Sequence, residues 1–142
     1  MQIPRGYLEN DRMKVFTVEN LAETLNAEVI PQYPASQTQI TGVSIDSRTT
    51  KAGDCFFAIA GDNFDGADFL PDAFAKGAVC AVVADSKRKK STGDCILKVH
   101  DTIKALGDFA LKYRQQMNFK VVAITGSAGK TMTRQITYHT LS

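Results

Sequence analysis

The sequence predicts an α/β domain with a mostly parallel or mixed sheet flanked by helices, followed by one strand, glycine loop and helix unit. Three observations carry this. The apolar runs at residues 55–60, 79–84 and 95–99 are continuous rather than alternating, as expected of strands covered on both faces. Segments with helical apolar spacing lie between or beside these runs, the order that produces a parallel sheet. The stretch Gly126-Ser127-Ala128-Gly129-Lys130-Thr131 follows an apolar run directly and opens a segment able to be helical.

Taken in order, residues 1–12 are polar and without period and read as an upstream extension or expression remnant. Thr17 caps a helix whose Val18, Leu21, Ala22 and Leu25 share a face. Residues 40–46, with Val43 and Ile45 alternating, predict a strand that enters the polar turn 47–50, and a tight connection leads to the strand at 55–60. After the glycine-bounded loop 61–66, Asp68 caps a helix running to Lys76, with Pro71 in its first turn and Gly77 at its end. The strand at 79–84 leads to a loop, 85–94, whose run Lys87-Arg88-Lys89-Lys90 reads as a solvated turn. Beyond the strand at 95–99, Asp101 caps a long helix with Ile103, Leu106, Ala110, Tyr113 and Met117 at intervals of three and four. A last buried-type strand is predicted at 120–125. The pattern leaves strand order open.

Composition narrows the function. The chain has 142 residues, 44% hydrophobic and 23% charged, enough for one good core or one core plus a fragment. A net charge of +2, with no basic stripe interleaved with aromatics, argues against a nucleic-acid or membrane partner. No run approaches the roughly 20 apolar residues of a membrane span, and no signal-peptide core is present, so a cytoplasmic location is expected. Cys55, Cys80 and Cys95 lie in or beside apolar runs without metal-ligand spacing and are expected to be reduced and buried. His100 and His139 have no accompanying ligands in metal spacing.

The glycine loop is where chemistry enters. Glycines let successive backbone N–H groups turn inward on a phosphate, and the following helix N-terminus adds positive potential. Lys130 would reach the β/γ-phosphates of a nucleotide, and the Thr131 hydroxyl would join a Mg²⁺ shell. The longer pattern GxxxxGK[ST] is not met, because Ile124 stands at its first glycine; a tight strand-to-helix turn is the plain alternative.

At residues 123–131, Ala-Ile-Thr-Gly-Ser-Ala-Gly-Lys-Thr, the chain resembles the ATP loop of the Mur ligases. The stretches Asp46-Ser47-Arg48, Gly53-Asp54-Cys55-Phe56-Phe57-Ala58, Gly61, Asp65-Gly66, Phe69, Ala73 and Gly77-Ala78 are similar to the UDP-binding domain of the MurE and MurF types. The segment 99–114 and the short gap before the loop look closer to MurF. The resemblance implies a cytoplasmic ligase that uses ATP and Mg²⁺ to phosphorylate the terminal carboxylate of UDP-N-acetylmuramoyl-tripeptide. The amine of D-alanyl-D-alanine then attacks the acyl-phosphate, as part of peptidoglycan precursor synthesis.

It also implies a division into a UDP-substrate domain at 13–117 and the start of an ATP-binding domain at 118–142. Nucleotide contacts would come from Gly126, Ser127, Ala128, Gly129, Lys130, Thr131 and Met132. Ala128 and Met132 stand where polar and hydroxyl residues are common in the family, so those side-chain hydrogen bonds are absent. For the UDP moiety the resemblance points to Ser47 and Arg48 and to the loop residues Asn63, Phe64, Asp65 and Gly66. The plain alternatives are Ser47 as a cap, Arg48 paired with a surface carboxylate, and Asp65-Gly66 as a simple turn.

Catalytic residues are expected beyond Ser142, so the chain alone is expected to lack ligase activity and to bind ATP weakly. The apolar run 121–124, without covering elements, is expected to be disordered or to pair within the first domain or with another copy, giving a dimer. A non-catalytic nucleotide-sugar-binding module, a remnant of a split gene and a MurE-type ligase stand as alternatives.

Overall fold

The computed structural model describes residues 16–30, 38–61, 65–85, 95–117 and 122–141. The predicted extension at 1–12, the basic run 87–90 and two nominated site residues, Asn63 and Phe64, lie outside them. The described residues up to Gln116 form one compact unit and those from Met117 onward a second.

The first unit holds seven strands and three helices among its described residues: β1 Phe16–Thr17, α1 Val18–Leu25, β2 Glu28–Ile30, β3 Gln39–Ile40, β4 Gly42–Ser44, β5 Asp54–Phe57, α2 Leu70–Ala75, β6 Cys80–Ala84, β7 Ile96–Val99 and α3 Thr102–Gln116. Five strands form one sheet in the order β2-β7-β6-β5-β4. The pairs β4–β5, β5–β6 and β6–β7 are parallel, and β2 adds an antiparallel edge on β7. This is the mostly parallel α/β sheet that the continuous apolar runs predict.

Strand alternation divides the core into two layers. Cys55, Phe57, Cys80, Val82, Leu97 and Val99 pack with Val18 and Leu21 of α1 and with Ala105 and Phe109 of α3. The intervening residues Phe56, Ala81, Val83 and Ile96 pack with Leu70 and Ala73 of α2. Completely burying a side chain such as Phe57 or Leu21 contributes about 2–3 kcal/mol, so this two-sided burial dominates the unit's stability. All three cysteines are buried and reduced, as expected.

Thr17 caps α1 as predicted, its Oγ1 accepting from the Asn20 amide at 3.2 Å. Asp101 likewise caps α3, its Oδ1 accepting from the amides of Ile103 and Lys104 at 2.8 and 3.0 Å. Gly77 follows α2 at φ +95°, a conformation that side-chain-bearing residues resist.

Four expectations are corrected. Residues 40–46 are not one strand. After Ile40 the chain leaves the β1–β3 ribbon, and the Thr41 amide donates to the Gly53 carbonyl at 2.9 Å. β4 then pairs with β5 only as far as Ser44, leaving Ile45 outside the ladder. The helix start assigned to Asp68 belongs instead to Asp65. Its Oδ1 accepts from the Ala67 amide at 3.0 Å and opens a single 3-10 turn, Gly66–Phe69, ahead of α2. On α3 the buried face runs through Ala105 and Phe109, with Leu106 and Tyr113 half-buried, whereas Ile103 and Ala110 point to solvent. The Phe109 ring meets Phe16 edge-on at 5.1 Å, and that contact fixes which face turns inward. Finally, of the strand predicted at 120–125, residues 120–121 lie outside the described residues, 122–125 form no strand and Val122 is 61% exposed. A strand is defined by its ladder, and this unit's described residues offer no second strand to pair with. The helix predicted after the loop is present as α4, Lys130–Leu141.

Candidate functional site

The connection from β4 to β5 joins two parallel neighbours without a helix, so the chain must reverse tightly at the C-terminal end of β4. The Asp46 carbonyl is the hub of that reversal. It accepts from Ser44 Oγ at 2.8 Å, the Thr49 amide at 3.0 Å, Thr49 Oγ1 at 3.1 Å and Thr50 Oγ1 at 3.1 Å. Polar groups placed this close to one another satisfy each other locally, which is why the buried Ser44 and Thr50 are tolerated.

The Asp46 carboxylate turns the other way. Its Oδ1 accepts from the Arg48 amide at 2.9 Å, and its two oxygens take Arg48 Nε and Nη2 at 2.7–3.1 Å. These bonds from Arg48 lower the Asp46 pKa to about 2 from an ordinary 3.8, with a smaller contribution from the charge of Lys76. The expected pairing of Arg48 with a surface carboxylate is therefore real. It leaves Nη1 without a partner among the described residues and the side chain 86% exposed.

Beside this turn lies a cleft of about 500 Å³ lined by Ile45, Asp46, Ser47, Arg48, Phe56, Ile59, Gly66 and Phe69. The structure thus brings together the nominated Ser47 and Arg48 with Gly66, reached from separate parts of the chain. Asp65, also nominated, serves as the cap beneath the cleft's rim and is not among its lining residues. Gly66 is held against the end of β5, its amide donating to the Ile59 carbonyl at 3.1 Å. The position is where open α/β sheets bind ligands, outside the carboxyl ends of parallel strands.

Sequence reasoning missed the cleft's apolar walls. Ile45 and Phe69 are 58% and 40% exposed, unusual for such residues, and flank a floor made by Phe56 and Ile59. The failed strand assignment at Ile45 hid one of them. Ser47 is the converse case, a polar residue only 6% exposed on the cleft, whose hydroxyl has no hydrogen bond among the described residues. It is not acting as a cap.

In the second unit, Gly126 and Gly129 have φ of +150° and +76°, so the loop uses the freedom its glycines supply. α4 starts at Lys130, and its first backbone bond runs from the Thr133 amide to the Gly129 carbonyl at 2.9 Å. The amides of Lys130, Thr131 and Met132 therefore precede the helical ladder and remain available to an anion. The Lys130 ammonium donates to the Gly126 carbonyl, folding back over the loop. A hollow of about 260 Å³ next to it is lined by Val122, Ile124, Lys130, Thr131 and Arg134; Arg134 adds a cation that the sequence reading did not nominate. Ser127, Ala128 and Met132 are exposed and do not line it. No group of three or more metal-ligating side chains occurs among the described residues, and no described helix is long and apolar enough to cross a membrane.

Comparison with known proteins places this geometry in a family. A profile described as the Mur ligase family, catalytic domain, matches residues 39–118. A Bacillus subtilis protein named UDP-N-acetylmuramoyl-tripeptide–D-alanyl-D-alanine ligase is 33% identical over 126 residues, 88% of this chain. A Rhizobium meliloti protein named UDP-N-acetylmuramoyl-L-alanyl-D-glutamate–2,6-diaminopimelate ligase is 38% identical over 109 residues, 74% of this chain. The chain spans only 27% and 22% of those two relatives' lengths. A solved UDP-N-acetylmuramoylalanyl-D-glutamyl-2,6-diaminopimelate–D-alanyl-D-alanyl ligase from Acinetobacter baumannii superposes with a TM-score of 0.73 at 32% identity, covering 89% of this chain and 28% of its own. The MurF ligase of Thermotoga maritima, solved in complex with ADP, gives 0.60 at 33% identity over 70% of this chain and 22% of its own. With more than half its length matched by the family profile and the same fold in solved members, the chain belongs to the Mur ligase family.

Proposed function

We propose that this chain is the UDP-substrate-binding part, with the opening of the ATP-binding part, of a MurF-type ligase that joins D-alanyl-D-alanine to UDP-N-acetylmuramoyl-tripeptide. The domain division at 13–117 and 118–142 belongs to this reading. The observation that carries it is the Ser47 hydroxyl, open to an apolar-walled cleft and without a hydrogen bond among the described residues, beside the preset Arg48 guanidinium. Ile45 and Phe69 supply surfaces for a flat ring, Ser47 a hydrogen bond to its polar edge, and Arg48 Nη1 a charged donor for a diphosphate. Gly66 keeps the opposite rim low enough for backbone approach. Asn63 and Phe64 are assigned to the same rim on resemblance alone.

MurF is favoured over MurE by the extent of similarity. The match to the MurF-named relative runs over 126 residues, against 109 for the MurE-named one, although identity in the shorter stretch is higher. A non-catalytic module is not favoured, because the matching family profile is that of a catalytic domain and the relatives are named as ligases.

The loop from Gly126 to Met132 would receive the phosphates of ATP. The free amides at the start of α4 fit an anion, and the Lys130 ammonium would exchange the Gly126 carbonyl for phosphate oxygens. Thr131 would give Mg²⁺ one hard oxygen. The bound metal would neutralise charge on the transferred phosphoryl group. Within this chain the work is positioning: one unit orients the UDP end, the other the phosphates.

Calorimetry with two ligands tests the assignment. Arg48→Ala is expected to weaken binding of UDP-N-acetylmuramic acid by about tenfold and leave Mg-ATP unaffected. Lys130→Ala is expected to abolish measurable Mg-ATP binding and leave the UDP ligand unaffected. A single variant that removes both, or neither variant having an effect, would count against the two-site reading.

A further inference from the structure

Lys76 follows α2 immediately and is exposed, so an ordinary lysine there would trail in solvent. Its Nζ instead donates to the carbonyls of Ser47 and Arg48 at 2.8 and 2.9 Å, residues 29 and 28 positions earlier. Holding a long side chain on two acceptors opposes its rotamer entropy, and the geometry it secures is specific.

The peptide joining Ser47 to Arg48 has its carbonyl on Lys76 and its N–H on Asp46 Oδ1. The next peptide, Arg48 to Thr49, has its carbonyl on Lys76 and its N–H on the Asp46 carbonyl. In a trans peptide these two groups point in opposite directions, so each plane is pinned at both edges. With both planes fixed, the φ and ψ of Arg48 are fixed too, and with them the direction in which its side chain leaves the backbone. Lys76 does not line the cleft, so it acts on a ligand only through the turn.

We propose that Lys76 is a positioning residue that locks the Ser47-Arg48 turn and thereby sets the affinity of the cleft for its ligand. This rests on the reading of the cleft as a UDP site. Asp46 holds one edge of the turn and Lys76 the other; of the two, only Lys76 ties it to α2.

The test compares Lys76→Met, which keeps most of the stem and removes the donors, with Lys76→Arg, which restores two donors. Both are surface changes, and an unaltered urea midpoint will show that the fold is intact. In the unliganded chain, amide exchange at Arg48 and Thr49 is expected to speed up about tenfold in Lys76→Met, with α2 and β5 unchanged. The Kd for UDP is expected to rise about tenfold in Lys76→Met and to return within about threefold of the parent in Lys76→Arg. Unchanged exchange at Arg48 and Thr49 overturns the inference whatever the ligand does. Faster exchange with unchanged UDP affinity also overturns it. If the parent chain fails to bind UDP while exchange still responds, the assignment of the cleft falls and the locking of the turn by Lys76 is upheld.

Discussion

Gly66 joins the fold to the cleft, and substituting it gives a prediction whose size follows from distances. A Cβ built on Gly66 would lie 2.6 Å from three backbone atoms, the carbonyl carbon of Ala58 and the nitrogen and oxygen of Ile59. None of these is the mobile end of a side chain, so the 3-10 turn must move away from the end of β5. That movement strains the Gly66 amide bond to the Ile59 carbonyl, now 3.1 Å, and the Asp65 cap next to it. Overpacking costs about 1–3 kcal/mol and a weakened hydrogen bond about 1, so Gly66→Ala should destabilise the first unit by about 2–4 kcal/mol. Gly107 is the control. It lies inside α3 with nothing within 4 Å of an added Cβ, so Gly107→Ala should stabilise by about 0.5–1 kcal/mol through helix propensity. Urea denaturation followed by far-UV circular dichroism measures both. A Gly66→Ala variant within 0.5 kcal/mol of the parent, a threshold of roughly the usual surface-substitution scatter, would refute the steric argument.

Two further outcomes follow from the charges and thiols. Because the folded pKa of Asp46 lies below its ordinary value, the turn's stabilisation is complete above pH 3.8 and is lost as pH falls through about 2. The Arg48 amide resonance should therefore titrate with a midpoint near pH 2, and a midpoint near 3.8 would mean the Asp46–Arg48 pair does not persist in solution. Burial pushes the Cys55 thiol well above its ordinary value and Cys95 up to about 11. With all three cysteines buried, iodoacetamide at pH 8 should leave the native chain unmodified and label all three once it is unfolded; labelling of the native chain would contradict the packing around β5 and β6.

How far the sequence reveals these features depends on whether the cause is local. Continuous apolar runs reported β5, β6 and β7 because burial on both faces is written in consecutive residues. The caps Thr17 and Asp101 were legible because their acceptors lie within three residues of their donors. The misplacements share a cause. Asp68 and Asp65 are equally good caps in isolation, and only the approach of Gly66 to Ile59 selects Asp65. The α3 face is ambiguous in the sequence because Ile103 and Phe109 are both apolar, and the Phe16 ring across the interface decides which is buried. In the cleft, Ser47, Arg48 and Gly66 follow from motif resemblance, whereas Ile45 does not, and Phe69 belongs to the resemblance without a contact assigned to it. Their exposure is a tertiary fact. Lys76 is the extreme case, since its two acceptors lie almost thirty residues away and no pattern in the chain announces them.

The central claim is that the cleft at the ends of β4 and β5 receives the UDP end of a nucleotide-sugar substrate. Its most direct measurement is a titration of the isotopically labelled chain with UDP-N-acetylmuramic acid, followed by amide and methyl NMR. Saturable shifts at Ile45, Ser47, Arg48, Gly66 and Phe69, with the loop from Gly126 to Thr131 unmoved, are the predicted result. Unchanged resonances at Ser47 and Arg48 in millimolar ligand, or saturable shifts confined to the glycine loop, would contradict the claim.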